Sequence, residues 1–340
     1  MRAMVLEQPG PVESAPLLER EAPIPALGPG EVLVRVEACA VCRTDLHIVE
    51  GELPPHKLPV IPGHEAIGRV ERVGEGVTAL RPGDRVGAAW LYQSDQTCPY
   101  CQRGNENLGL DPLFTGYDRD GGYAEYMVAR ADFLHAVPEE VEANEFSPFL
   151  CAGIIGYRAL KRSEVKPGQK LGLYGFGGSA HVVIQVARHW GCEVYVSSRD
   201  AAHRKLADEY GAVWTGDAEE RPPAKLEAAI LFAPVGHLVP PIMESLDRGG
   251  TLAVAGIYLT DLPGLHYETQ LFHEKSLRSV TANTREDGRE LLRLAAEIPL
   301  RSHTVAFPLS EANEALRRLK HDEIAGAAVL TIGDKGKPGA

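Results

Sequence analysis

The chain has 340 residues, of which 44% are apolar and 24% charged, the composition of an ordinary water-soluble globular protein. At about 150 residues per domain the length suggests two domains, and a chain this long needs no disulfide staples to bury a core. The formal net charge of −12 argues against nucleic acid or an anionic membrane as the main partner, because neither gains from an acidic surface.

The start, MRAMVLEQPGPVESAP, has no apolar core followed by a cleavage site. The uncharged stretch Ala228–Met243 is interrupted by Pro234, Pro240 and Pro241 and is too short to cross a bilayer. We expect a cytoplasmic protein, with its six cysteines serving as thiols or metal ligands rather than disulfides.

Residues 1–150 are rich in Gly and Pro and carry short β-branched runs at Glu31–Glu37, Ala66–Val73 and Asp84–Ala88, separated by turns such as Pro62-Gly63 and Pro82-Gly83. This reads as an antiparallel β domain with long functional loops. Near residue 150 the pattern changes. Strands are expected at Lys170–Tyr174, Glu193–Val196, Ala229–Phe232 and Thr251–Val254, and helices at Ser179–Trp190 and Ala201–Tyr210. That alternation predicts a parallel, doubly wound sheet, so the fold class is α/β with a separate β domain. Beyond Val280, Arg285–Ile298 and Glu311–Lys320 read as amphipathic helices and Ala327–Ile332 as a closing strand, with a mobile tail from Gly333 to Ala340. The apolar segments Ala229–Ala233 and Thr251–Leu259 are candidates for a homodimer contact, and a homodimer or homotetramer is expected.

Gly175-Phe-Gly177-Gly178-Ser-Ala180 lies between a predicted strand and a predicted helix. The first glycine permits a tight turn, the second lets the backbone approach a pyrophosphate, and Ala180 is small enough for helix–strand packing. The helix start would offer free N–H groups to the phosphates. An NAD site usually carries Asp or Glu about 20 residues further on, to hold the ribose 2′-hydroxyl. Here the second strand runs into Ser197-Ser198-Arg199, two hydroxyls and a cation suited to a 2′-phosphate, with Arg204 one turn into the next helix. These residues favour NADP(H) over NAD(H), although Asp200 restores an acidic partner if the register shifts by one.

Two C-x-x-C pairs, Cys39/Cys42 and Cys98/Cys101, suggest a four-thiolate zinc site, but the 56-residue step from Cys42 to Cys98 exceeds the usual ribbon spacing of about 15–20. Taken together, V-C-R-T-D-L-H at 41–47, P-G-H-E-A-I-G-R-V at 62–70, V-G-x-G-V at 73–77, G-D-R-V-G at 83–87, G-G-Y-A-E-Y at 121–126 and C-A-G-I at 151–154 carry a resemblance over nearly the whole chain. The chain resembles the zinc-dependent alcohol dehydrogenases of the medium-chain dehydrogenase/reductase superfamily, and looks closest to the bacterial group similar to cinnamyl alcohol dehydrogenases.

The resemblance implies a GroES-like catalytic domain (1–150 and 286–340), a Rossmann coenzyme domain (151–285) and a cleft between them. It implies that Cys42, His64 and Cys151 bind a catalytic zinc, with Glu65 able to approach the metal. Two thiolates and an imidazole leave a fourth tetrahedral position open, an arrangement for which alcohol dehydrogenase is itself the standard example. By the same resemblance Thr44 takes the alcohol proton and His47 passes it to solvent. Asp45 holds the far nitrogen of His64, Arg43 faces the coenzyme pyrophosphate, and Trp90 lines the substrate pocket with Phe114, Tyr258 and Leu259 as further candidates. The expected reaction is reversible hydride transfer between NADP(H) and a primary alcohol or aldehyde. The alternatives are a zinc-free quinone or enone reductase on the same fold, or a coenzyme-binding protein without turnover.

Two departures stand out. Family members often carry a second, structural zinc in a lobe with four cysteines; here the matching positions are Asp95, Cys98, Cys101 and Gly109, so that metal is expected to be absent or weak, unless Asp111 reaches in. Alternatively, the two thiols sit reduced or form a disulfide. The last strand opens Gly326-Ala327-Ala328 and lacks an arginine that family members often aim at the pyrophosphate, leaving Arg43, Arg199 and Arg204 to compensate.

Overall fold

The computed structural model describes residues 1–256, 259–324 and 326–333. Tyr258 and most of the Gly333–Ala340 tail lie outside the described residues. The chain forms two compact units, one of residues 1–151, 284–292 and 301–340, the other of 152–283 and 293–300. Among the described residues no helix is long and apolar enough to cross a membrane.

The first unit is built on a seven-stranded sheet whose spine is Glu31–Val41. The spine carries four valines and a leucine, and Val32, Val34 and Val36 are almost fully buried. Each such side chain contributes about 1.5–3 kcal/mol on leaving water. The spine pairs antiparallel with Glu65–Val73, Tyr126–Arg130 and Ala327–Thr331. It continues to Val41, four residues beyond the run ending at Glu37, because the Ala38–Val41 end is buried and paired on both sides.

That register positions the chemistry. Ala40 stands opposite Glu65, so the residues just past each strand end, Cys42 and His64, come together. Gly63 makes the approach possible: its φ is +98°, and an added Cβ would lie 2.3 Å from the Tyr123 ring. A 3-10 turn at Ser147–Leu150, buried throughout, packs against both strands and delivers Cys151.

The second unit holds a six-stranded, all-parallel sheet in the order Trp214–Gly216, Glu193–Ser197, Lys170–Tyr174, Leu226–Leu231, Leu246–Val254, Ser276–Ser279. Helices at Ala152–Ser163, Gly178–His189, Ala201–Glu209 and Val239–Ser245 connect or flank the strands. Leu226–Leu231 and Leu246–Val254 begin earlier than their apolar patterns suggest, since Asp247, Arg248, Gly249 and Gly250 interrupt the second. Both strands are interior to the sheet, so their apolar runs are accounted for by burial and offer no free edge to a second subunit.

Candidate metal centre and coenzyme turn

The Arg43–Glu50 helix starts at Cys42, whose sulfur accepts from the Thr44 N–H at 3.3 Å. Asp45, fully buried, closes a capping box by accepting from the Cys42 N–H at 3.0 Å. The same carboxylate accepts from the Gly63 N–H at 3.2 Å and pairs with His64 Nδ1 at 3.0 Å. Asp45 thus serves the start of the helix and the orientation of the histidine at once. With Nδ1 committed, His64 presents Nε2 to Cys42 Sγ at 3.3 Å.

Cys42, His64, Glu65 and Cys151 form one group whose ligand atoms all lie within 4.8 Å of one another. Hydrogen bonding from Cys151, reinforced by His64 and Thr44, holds the Cys42 thiol well below the usual thiol range, while Cys151 is pushed up by that shared bond and by burial. For His64, burial works against protonation, but Asp45 and Cys42 outweigh it and raise the ring well above its ordinary value. Burial, then the Cys42 charge, pushes Glu65 up, and its Oε1 is buried with no hydrogen-bond partner among the described residues. An unpartnered buried carboxylate oxygen beside two soft sulfurs and an oriented imidazole is a donor set that fits zinc.

Thr44 is buried and His47 lies three residues on, on the same face of the helix. His47 Nδ1 meets Glu52 Oε2 at 2.5 Å, and the imidazole is partly exposed. Arg43 is exposed and pairs with Asp322 at 2.5 Å. Trp90 sets its edge against the His64 ring at 5.0 Å and stacks on Phe114 at 4.8 Å, with Tyr117 tilted beside it at 5.9 Å. Tyr117 went unnoticed in the sequence, where its signal was an aromatic three residues after Phe114. Leu259, another pocket candidate, is partly buried and packs on the hydrophobic core of the second unit.

The second thiol group is different. Cys98 caps the four-residue helix Pro99–Gln102, and its sulfur lies 3.4 Å from that of Cys101. Cys101 donates to Asp95 Oδ1 at 2.9 Å, and burial together with that carboxylate pushes its thiol up to about 11. Asp95, Cys98 and Cys101 group together, whereas Asp111 is exposed and outside the group. An added Cβ at Gly109 would lie 3.4 Å from Cys101 Sγ, so the fourth side of this group is bare backbone. Three donors and a glycine do not complete the closed tetrahedron of a structural zinc.

In the second unit the glycine turn joins Lys170–Tyr174 to Gly178–His189. Gly175 has φ +93°, and an added Cβ would lie 2.9 Å from the Ala233 nitrogen. A Cβ at Gly177, the helix N-cap, would meet nothing within 4 Å, while Ala180 is fully buried. Gly178 is the first helical residue, so unpaired N–H groups border the open cradle that Gly177 leaves, a fit to a pyrophosphate.

Ser197 and Ser198 are buried at the end of the second strand, and Arg199 is exposed. Asp200 caps the Ala201–Glu209 helix, accepting from Ala202 N at 2.7 Å and His203 N at 3.4 Å, which lowers its carboxyl below the usual range. Arg204 holds the Ser198 carbonyl at 2.5 Å and reaches Asp217 at 3.4 Å.

The chain is similar to known proteins over nearly its whole length. Residues 28–139 match the alcohol dehydrogenase GroES-like domain and 178–297 the zinc-binding dehydrogenase domain. The chain is 51% identical over 337 residues to a probable alcohol dehydrogenase, AdhA, of Mycobacterium tuberculosis, covering 98% of this chain and 97% of that one. An alcohol dehydrogenase of Geobacillus stearothermophilus is 38% identical over 322 residues, covering 92% and 95%. Among solved structures, a cinnamyl alcohol dehydrogenase of Sorghum bicolor superposes with a TM-score of 0.87 at 27% identity, covering 97% of each chain. Likeness of this extent, added to the donor group and the glycine turn, makes the chain a member of the zinc-binding alcohol dehydrogenases of the medium-chain dehydrogenase/reductase superfamily, an oxidoreductase with a GroES-like domain and a Rossmann-type coenzyme domain.

Proposed function

We propose that the protein is a cytoplasmic oxidoreductase that interconverts primary alcohols and aldehydes, depends on one zinc ion per chain, and uses NADP(H) in preference to NAD(H). The observation that carries this reading is the convergence of Cys42, His64, Glu65 and Cys151, with Asp45 bonded behind the histidine. We assign metal binding to the unit of residues 1–151, 284–292 and 301–340, and coenzyme binding to the other.

Cys42, His64 and Cys151 would hold the zinc, with Glu65 beside it. Bound zinc supplies Lewis acidity toward a substrate oxygen, and the nicotinamide supplies or accepts hydride. Thr44 holds the alcohol proton at its hydroxyl, and His47 moves it outward, since the helix carries the path from a buried residue to a partly exposed one. Trp90 and Phe114 form an apolar wall beside His64 that excludes water and suits a hydrocarbon substituent.

The coenzyme preference rests on the second strand's end. Asp200 is occupied as a helix cap, which leaves Ser198 and Arg199 to meet the ribose substituent, while Arg204 steadies the Ser198 backbone. The test follows NADPH and NADH absorbance with short aliphatic and aromatic aldehydes, with and without a zinc chelator. Turnover should vanish with the chelator and favour NADPH. Arg199→Ala should lower kcat/KM for NADPH by about tenfold and leave that for NADH within about twofold, the loss of one charge-assisted contact. Chelator-insensitive turnover overturns the metal dependence. A preference for NADH that Arg199→Ala does not alter overturns the coenzyme assignment.

A further inference from the structure

The group at Asp95, Cys98 and Cys101 lacks the donors of a closed metal site, and its chemistry has to be read on its own terms. Cys98-Pro99-Tyr100-Cys101 puts two free thiols at either end of one helical turn, with their sulfurs 3.4 Å apart. Pro99 at the first helical position fixes that turn in advance of any reaction. Cys101 is the more accessible, half-buried against the nearly buried Cys98. The surrounding loop exposes Tyr100, Leu108 and Leu110, and Gly109 adds no side chain over the sulfurs. Cys39 and Cys192, by contrast, are buried, and their thiols donate to backbone carbonyls, those of Ala40 and Lys166.

We propose that Cys98 and Cys101 are a redox-active dithiol, a modification site that closes to an internal disulfide by exchange with low-molecular-weight disulfides of the glutathione type. Cys101 passes its proton through the Asp95 carboxylate it is bonded to, and on to solvent, and its sulfur attacks one sulfur of the small disulfide. A Cys101 mixed disulfide forms, and the first small thiolate leaves and takes up a proton. Cys98 then loses its proton and attacks Sγ of Cys101 from its position 3.4 Å away, forming the Cys98–Cys101 bond and expelling the second small thiolate. In sum, two protein thiols give up two electrons and two protons, and one disulfide is reduced to two thiols. The step leaves Cys42 and Cys151 untouched and does not depend on the coenzyme.

The test incubates the full-length, zinc-loaded protein in mixtures of reduced and oxidised glutathione of graded ratio. It then blocks free thiols with an alkylating agent and weighs the peptides. As the oxidised share rises, the peptide bearing both cysteines should lose both alkyl groups together and carry no glutathione. Cys98→Ser should stop at a glutathione adduct on Cys101, and Cys101→Ser should leave Cys98 alkylated; the pair of variants separates attack from resolution without requiring any loss of fold. If the wild-type pair stays alkylated at every ratio, the proposal falls. It also falls if a glutathione adduct accumulates without closing, or if metal analysis finds a second zinc whose removal is needed before either sulfur reacts.

Discussion

The Cys42 group and the Cys98 group offer the same kinds of ligand atom, thiols beside a carboxylate, within one folded unit, yet different structure stands behind them. The first is assembled from three separated segments by strand register, and its histidine is held by a buried carboxylate that also caps a helix. The second comes from one short stretch of chain, with an exposed turn and a glycine where a fourth ligand would stand. A site whose ligands are fixed by elements that exist for their own stability can hold a metal rigidly and still leave a position open. A site made by a single turn keeps its two sulfurs within reach of each other, and where the remaining ligands are missing that closeness serves exchange chemistry.

The sharpest way to break that contrast is Cys42→Ala. It should remove the metal and lower turnover by about a thousandfold or more, because the Lewis acid is lost with its ligand; metal analysis and an aldehyde assay check both. Activity retained within about tenfold would contradict the assignment. Asp45→Asn tests the supporting shell rather than the ligands. Metal affinity and activity should fall by about 10- to 100-fold, measured by competition with a chromophoric chelator, together with about 1 kcal/mol of stability from the capping box. The smallest expected effect on turnover sharpens the other side. Gly109→Cys places a thiol beside Cys101 Sγ at a position with an ordinary φ of −55°, so zinc content should rise from one ion per chain to two while kcat/KM stays within about threefold. An unchanged zinc content would mean that the lobe lacks more than one ligand.

Much of this was legible in the sequence because it depends on local chemistry. The glycine turn, the Cys-Arg-Thr-Asp run and the bounds of Lys170–Tyr174 follow from short-range pattern. What the sequence could not give was set by pairing at a distance. The spine's continuation to Val41 comes from neighbours on both sides, not from alternation. The interior position of Leu226–Leu231 and Leu246–Val254 depends on strand order, which an apolar run does not encode. Asp200 was ambiguous as text, and the structure resolves its carboxylate as a cap because two N–H groups at the start of the Ala201–Glu209 helix need an acceptor. Tyr117 joins Trp90 only through the folding of its loop, which the Tyr117 hydroxyl ties to the Pro54 carbonyl at 2.6 Å.

Asp45 has a consequence for motion. Its carboxylate accepts the amide protons of Cys42 and Gly63, which belong to two different segments, and holds the ring that would face the metal. The two amides can therefore open to solvent only when that one carboxylate lets go, and a ligand that binds the closed arrangement alone must slow both openings by the same factor. Zinc at a hundredfold excess over its dissociation constant would stabilise the closed arrangement by about 2.7 kcal/mol, so hydrogen exchange at Cys42 and Gly63 should slow together by about a hundredfold. Amides that open to solvent without breaking the metal group would keep their rates. In this protein the tempo of a helix's first turn is a gauge of metal occupancy.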